Sequence, residues 1–119
     1  MEACNVVRMR VRPGFEAEFL AFNDPGHPDI PGMLDAWLVQ TGERDFCYVA
    51  RWVSRDALVA GRGPMVAELD QMRHMLEDLG PGLGVTDPAS GEIVSRKRTP
   101  VVPFRGEATG VGVASELGR

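Results

Sequence analysis

Residues 45–79 read DFCYVARWVSRDALVAGRGPMVAELDQMRHMLEDL, which is a strand pattern followed by two helix patterns. Alternate positions in the first part are held by Phe46, Tyr48, Ala50 and Trp52. This two-residue period predicts a strand over 46–53 with one face buried. Ser54 follows as an N-cap, because its hydroxyl oxygen can accept a hydrogen bond from a free backbone N–H of a short helix. That helix is expected to end near Gly61.

A longer helix is predicted beyond Gly63-Pro64, since proline is favoured at the start of a helix. Apolar residues recur along it at helical spacing: Met65, Leu69, Met72, Leu76 and Leu79. Gly80-Pro81 supplies the stop, a glycine that ends the helix and a proline that cannot continue it. The segment is therefore expected to present one apolar face to a neighbouring layer.

The flanking segments add three strands and a helix. CNVVRMRVR (4–12) alternates between apolar and polar faces and predicts the first strand. Phenylalanines at helical spacing predict a helix over about 14–23, and the proline-rich DPGHPDIPG (24–32) is a loop. Residues 33–41 predict a strand that forms a hairpin with 46–53. A DPASG turn and a short final strand, EIVS (92–95), complete the pattern.

This order predicts an α+β, ferredoxin-like βαββαβ fold, an antiparallel sheet with both helices on one face. The predicted domain covers residues 1–95, and residues 96–119 are expected to form an arm or flexible tail. On the uncovered face of the sheet we expect apolar side chains among arginines: Val6, Leu38, Val49 and Val53 among Arg8, Arg10 and Arg51. Such a face suggests a partner, and a second copy of the chain is the simplest one.

Composition narrows the function classes. The 119 residues are 44% hydrophobic and 25% charged, which suits one globular domain. The net charge of −4 and the pI near 5.1 argue against nucleic-acid binding. No apolar run is long enough to span a membrane, and no secretory signal is recognised. Two cysteines are too few for a disulfide scaffold and lack CxxC spacing, which predicts a reduced, cytoplasmic protein. Neither histidine has a partner at metal-ligand spacing, so no metal site is expected.

Several segments resemble the antibiotic biosynthesis monooxygenase family, a part of the dimeric α+β barrel superfamily. They are the first-strand end Val11-Arg12-Pro13-Gly14, the Pro31-Gly32-Met33 entry to the second strand, the YVARWVSRDA stretch (48–57) and the methionine-containing helix after it. The resemblance implies a homodimeric barrel formed through the sheet faces, with a pocket between sheet and helices. It also implies oxidation of an aromatic or polyketide-like substrate without a cofactor, although some members degrade haem.

Three residues on the helix-facing side are the candidate catalytic set: Asn5, Tyr48 and Trp52. An amide, a phenol and an indole in an apolar pocket can orient a small aromatic or hydrophobic ligand and hold a substrate anion. The structural alternative is that the two aromatic residues are core and Asn5 only ends a strand. Four further residues are assigned to substrate binding: His27, Trp37, Arg62 and Met72. His74 is expected to face water.

Two other functions stay open. The first is a non-catalytic dimeric protein that binds a ligand or serves as an accessory subunit. The second is haem binding or degradation, for which the family pattern requires a first-strand asparagine, a tryptophan and a histidine. Asn5 fits that pattern, but Gly61 stands where the tryptophan is expected, nine residues after Trp52.

Overall fold

The computed structural model describes residues 1–24, 26 and 29–105. Its sheet has four antiparallel strands in the order β2-β3-β1-β4. In chain order the elements are β1 (Ala3–Arg10), α1 (Glu16–Asn23), β2 (Met33–Gln40), β3 (Asp45–Trp52), α2 (Arg55–Ala60), α3 (Arg62–Asp70), a 3₁₀ turn (Arg73–Met75) and β4 (Asp87–Glu92). The predicted α+β ferredoxin-like order is confirmed. The domain boundary at residue 95 stays a prediction.

Two clusters of buried side chains hold the helices against one face of the sheet. In the first, Phe19 from α1 packs on Met9 and Phe46, and the Phe19 and Phe46 ring centroids lie 4.9 Å apart. In the second, Leu58 from α2 packs on Ala50 and Trp52. Burying side chains of this size supplies the hydrophobic stabilisation that fixes both helices on the same side.

The predicted long helix is wrong beyond Asp70. The chain there leaves the helix and runs beside the end of the first strand, where Leu76 bridges Val11. Arg12 donates its backbone N–H to Met75 across 2.8 Å, and Glu77 donates to Arg10 across 2.8 Å. Without these bonds, backbone groups at the end of β1 would lack hydrogen-bond partners. The Leu76 side chain is fully buried.

The last strand also differs from the prediction. DPASGE itself forms β4 and pairs with β1, so the DPASG segment is a strand where a turn was expected. Pro88 is tolerated because β4 lies at the edge of the sheet, where a missing N–H costs no ladder bond.

One side chain lies on the other face from the one predicted. Leu38 pairs with Tyr48, and directly paired residues of antiparallel strands point to the same face, so Leu38 packs on the helix-facing core. Trp37 and Val39 instead lie on the open face, each close to half exposed, at 50% and 44%. The open face also carries Arg51, which pairs with Asp35 at 2.9 Å and Glu2 at 2.8 Å.

Candidate functional site

A cavity of about 370 Å³ lies between the helix-facing side of the sheet and the α2–α3 segment. This volume falls within the range that small-molecule sites occupy. Nine apolar residues contribute to its wall: Val7, Met9, Leu58, Met65, Val66, Leu69, Met72, Pro88 and Ala89. Polar groups are contributed by Asn5, Asn23, Tyr48, Arg62, Glu68, Thr86 and Ser90. A mostly apolar cavity with a few convergent polar groups is the usual form of a ligand site.

Asn5 is held in the cavity wall by a buried hydrogen bond. Nε1 of Trp52 donates to Oδ1 of Asn5 across 2.7 Å, and Asn5 is only 7% exposed. The indole N–H can only donate, so the Asn5 amide must turn its oxygen toward Trp52. Its NH₂ group is consequently left as the donor for the cavity side. The amide orientation thus follows from the chemistry of its partner.

Trp52 supports Asn5 from behind and does not line the cavity. Its side chain is fully buried, and its ring lies directly against Gly61. A Cβ atom at Gly61 would stand 2.6 Å from Cζ3 of the Trp52 ring and closer still to Cη2. A glycine is therefore required at this point, because any side chain would occupy the space of the indole.

Tyr48 stands on the sheet side of the cavity and Glu68 on the helix side. Burial raises the pKa of Tyr48 to about 12, and the nearby negative charge of Glu68 adds to the shift. Tyr48 consequently stays protonated near neutral pH and acts there as a neutral phenol.

Arg62 and Met72, both assigned to substrate binding from the sequence, do line the cavity. Nη2 of Arg62 lies 3.4 Å from Oγ of Ser90, so this exposed contact connects the start of α3 with the edge strand β4. Met72 is buried, and its sulfur lies 4.0 Å from Nδ2 of Asn23. Asn5, Tyr48, Arg62 and Met72 are thus brought together, while their roles toward a ligand stay predictions.

Two other predicted ligand residues are not placed at this cavity. Trp37 lies on the opposite face of the sheet, because its strand partner is Val49 on the open side. His27 falls outside the described residues. His74 is exposed as expected, with Nε2 lying 3.0 Å from a carboxylate oxygen of Glu18.

Glu68 is the cavity residue that the sequence prediction missed. It stands three residues after Met65 on the same face of α3, and both residues line the cavity together with Met72. The sequence signal that could have identified it is a carboxylate, that of Glu68, among the apolar residues of one helix face. It was overlooked because apolar spacing alone was followed along α3.

No family model matches the sequence, and no curated protein matches it either. Solved structures do match. A candidate antibiotic biosynthesis monooxygenase from Chloroflexus aurantiacus is 15% identical, with a TM-score of 0.62 over 82% of this chain and 98% of its own. A mutant of SnoaB, a cofactor-independent oxygenase from Streptomyces nogalater, is 18% identical, with a TM-score of 0.52 over 84% and 98%.

A monooxygenase from the gene ActVA-Orf6 of Streptomyces coelicolor, in complex with the ligand nanaomycin D, is 20% identical. Its TM-score is 0.56 over 86% of this chain and 92% of its own. The structural neighbours are therefore antibiotic biosynthesis monooxygenase domain proteins, and the resemblance seen in the sequence is confirmed. At these identities the likeness establishes the α+β ferredoxin-like fold of such domains.

One further neighbour raises the question of haem. A mutant of MhuD with two manganese protoporphyrin IX molecules bound per active site is 21% identical, with a TM-score of 0.54 over 82% of this chain and 99% of its own. The residues that the structure describes do not fit a haem. Among them no histidine or cysteine lines the cavity, and Gly61 has no room for an indole because the Trp52 ring lies against it.

The described residues also contain no cluster of three or more His, Cys, Asp or Glu side chains placed to hold a metal ion. Within the same part of the chain, no helix combines the length and apolar character that crossing a bilayer requires.

Proposed function

We propose that this protein is a small oxygenase that oxidises an aromatic or polyketide-like molecule in the cavity between sheet and helices. One observation carries the proposal. The Trp52 hydrogen bond occupies the amide oxygen of Asn5, which leaves the NH₂ donors of this lining residue for a ligand in a mostly apolar cavity. Donors held in advance toward a substrate oxygen stabilise the negative charge that develops when the substrate becomes an anion.

Reaction with dioxygen without a cofactor requires a substrate that becomes an electron-rich anion. Tyr48 contributes a phenol that remains a donor near neutral pH, and Trp52 acts through the orientation of Asn5. Arg62 lies at the cavity edge, where its charge suits an anionic or quinone-like oxygen, and Met72 offers an adaptable apolar contact. His27 remains a predicted contact, whereas Trp37 lies on the opposite face of the sheet and does not line this cavity.

Oxygen uptake by the purified protein with anthrone and with reduced quinols tests the proposal, together with mass analysis of the products. Asn5→Asp is the informative variant, because a carboxylate still accepts the Trp52 hydrogen bond but has lost both donors. We expect uptake with the unchanged protein and a loss of about 100-fold in the variant, the usual cost of removing an oxyanion donor. Absence of uptake with every substrate would overturn the proposal.

The second candidate is a non-catalytic protein that stores or presents a hydrophobic ligand. The observation in its favour is the predominance of apolar side chains in the cavity wall. It predicts tight binding of anthrone or a quinone with no oxygen uptake. Calorimetric binding measured in parallel with the oxygen electrode separates the two functions.

We also propose a homodimer formed through the open face of the sheet. Trp37, Val39 and Val53 on that face are each close to half exposed in the single chain, and a second copy would cover them. The cytoplasmic location expected from the sequence and the role of residues 96–119 stay predictions.

A further inference from the structure

We propose that the Glu68 carboxylate takes the proton from the bound substrate, an aromatic molecule with an acidic C–H conjugated to a carbonyl, while the Asn5 amide holds the oxygen on which the charge collects. This inference rests on the proposed oxygenase function. It assigns the base that cofactor-independent oxidation requires.

Glu68 is one of a few ionisable residues in the cavity wall. The ionisable lining residues in the described part of the chain are Tyr48, Arg62 and Glu68. Arg62 is a permanent cation and cannot accept a proton. Tyr48 keeps its own proton near neutral pH, since its pKa is raised to about 12. Glu68 is thus the one lining residue of the described chain that can act as a base in that range.

The sheet wall and the helix wall of the cavity carry different chemical groups. Asn5 and Tyr48 come from neighbouring strands, where Asn5 pairs with Ala50 and Val7 pairs with Tyr48. They are diagonal neighbours on one face and place two donors on the sheet wall. Glu68 lies on α3, which forms the helix wall. A flat substrate between the walls would meet donors on one side and a base on the other.

With anthrone as the substrate, proton transfer to Glu68 precedes the reaction with dioxygen. A C–H bond breaks, its electron pair remains on the substrate as an enolate, and an O–H bond forms on Glu68. Dioxygen is the oxidant, and the carbanion form of the enolate makes a C–O bond to it. The resulting peroxide takes up a proton and then loses water with the second hydrogen of the same carbon. One anthrone and one dioxygen give one anthraquinone and one water.

The test measures proton transfer without the oxidation. Anthrone is incubated with the protein in deuterium oxide under anaerobic conditions, and exchange of its acidic C–H is followed by NMR. We expect the unchanged protein to accelerate exchange and Glu68→Gln to lose about 100-fold or more of that acceleration, a usual contribution of a general base. Glu68→Asp should restore part of it. Glu43→Gln, an exposed carboxylate in the β2–β3 turn, is the charge-matched control.

A purely structural role for Glu68, such as holding Tyr48, makes a different prediction. Glu68→Gln and Tyr48→Phe would then have the same effect. If Glu68 is the base, the rate of exchange falls at acid pH as the carboxylate is protonated, and this acid limb persists in Tyr48→Phe but disappears in Glu68→Gln. If Glu68→Gln does not fold, the acid limb of the unchanged protein and the Glu68→Asp rate still decide the question.

The outcomes separate the two proposals. Exchange in Glu68→Gln as fast as in the unchanged protein would overturn the role of Glu68, and continued oxygen uptake would leave the oxygenase standing. Exchange without oxygen uptake would support Glu68 and overturn the oxygenase. Oxygen uptake with no accelerated exchange would overturn Glu68 alone. Neither activity with anthrone would overturn the inference, and the same absence across the quinols would overturn both proposals.

Discussion

The indole Nε1 of Trp52 donates a hydrogen bond to Oδ1 of Asn5 across 2.7 Å in the interior between sheet and helices. The two residues are 47 positions apart in sequence and meet because β1 and β3 pair antiparallel. One strand brings the ligand-facing amide and the other brings the group that orients it. Stability and the candidate site are therefore coupled at this contact.

Trp52→Phe is expected to lower the free energy of unfolding by about 2 kcal/mol or more, since it leaves a buried acceptor unpaired and removes packed volume. Urea unfolding measures this loss of stability. The protein concentration is held fixed, because association of the chains contributes to apparent stability. Val59→Ala, at a position of α2 that is 46% exposed, is the control and should change stability by less than about 0.5 kcal/mol. Equal losses in both variants would contradict the role assigned to the buried bond.

Gly61→Ala is expected to cost about 1–3 kcal/mol, because the added Cβ overlaps the Trp52 ring and must displace it. The backbone is not the cause, since φ of Gly61 is −79° and suits any residue. Gly91→Ala in β4 is the control: its φ lies outside the left-handed region, no heavy atom beyond its chain neighbours lies within 4 Å of its added Cβ, and stability should change by less than about 0.5 kcal/mol. Unfolding curves of the pair provide the measurement, and similar values would refute the steric argument.

The chain has a single tyrosine, so absorbance of tyrosinate reports Tyr48 alone. In the folded protein we expect titration near pH 12, measured just after an alkaline jump, and in urea near its ordinary value of about 10. The folded state therefore holds more protons between these values, and stability falls as the pH rises through that window. Below this pH window, Tyr48 contributes no pH dependence to the free energy of unfolding.

Glu68→Gln should lower the pKa of Tyr48, because it removes the smaller of the two causes of the shift, while burial keeps the pKa above its ordinary value. Glu43→Gln serves again as the control and should leave the titration unchanged. A Tyr48 that titrates at the same pH in folded and unfolded protein would show that the phenol is not buried against the cavity.

Trp37→Arg is expected to convert the proposed homodimer to a monomer, because two-fold symmetry places the added charge in the interface twice. Light scattering after gel filtration measures the mass. Val59→Arg on α2 places the same charge at a residue of similar exposure on the helix side and should leave the dimer intact. A monomeric unchanged protein, or a dimer in both variants, would reject this face as the interface.

The element order and most strand faces followed from sequence, because a two-residue period needs only local alternation to be recognised. Tyr48, Ala50 and Trp52 were placed correctly on the helix-facing side in this way. Leu38 was not, because its face depends on its register with β3 and not on its own segment. The helix after Asp70 failed similarly, since backbone bonds to Arg10 and Arg12 override a continuing apolar stripe.

By itself the sequence determined the residue types available to the site: an amide, a phenol, an indole and a methionine-bearing helix, in an order that predicts one fold. Only the tertiary structure decided how they act. It turned the Asn5 amide by a donor 47 positions away, placed Trp52 behind the wall against Gly61, and brought Glu68 into the cavity. Periodicity reports which face a side chain occupies, whereas hydrogen-bond partners and cavity walls come from segments that meet only when the chain is folded.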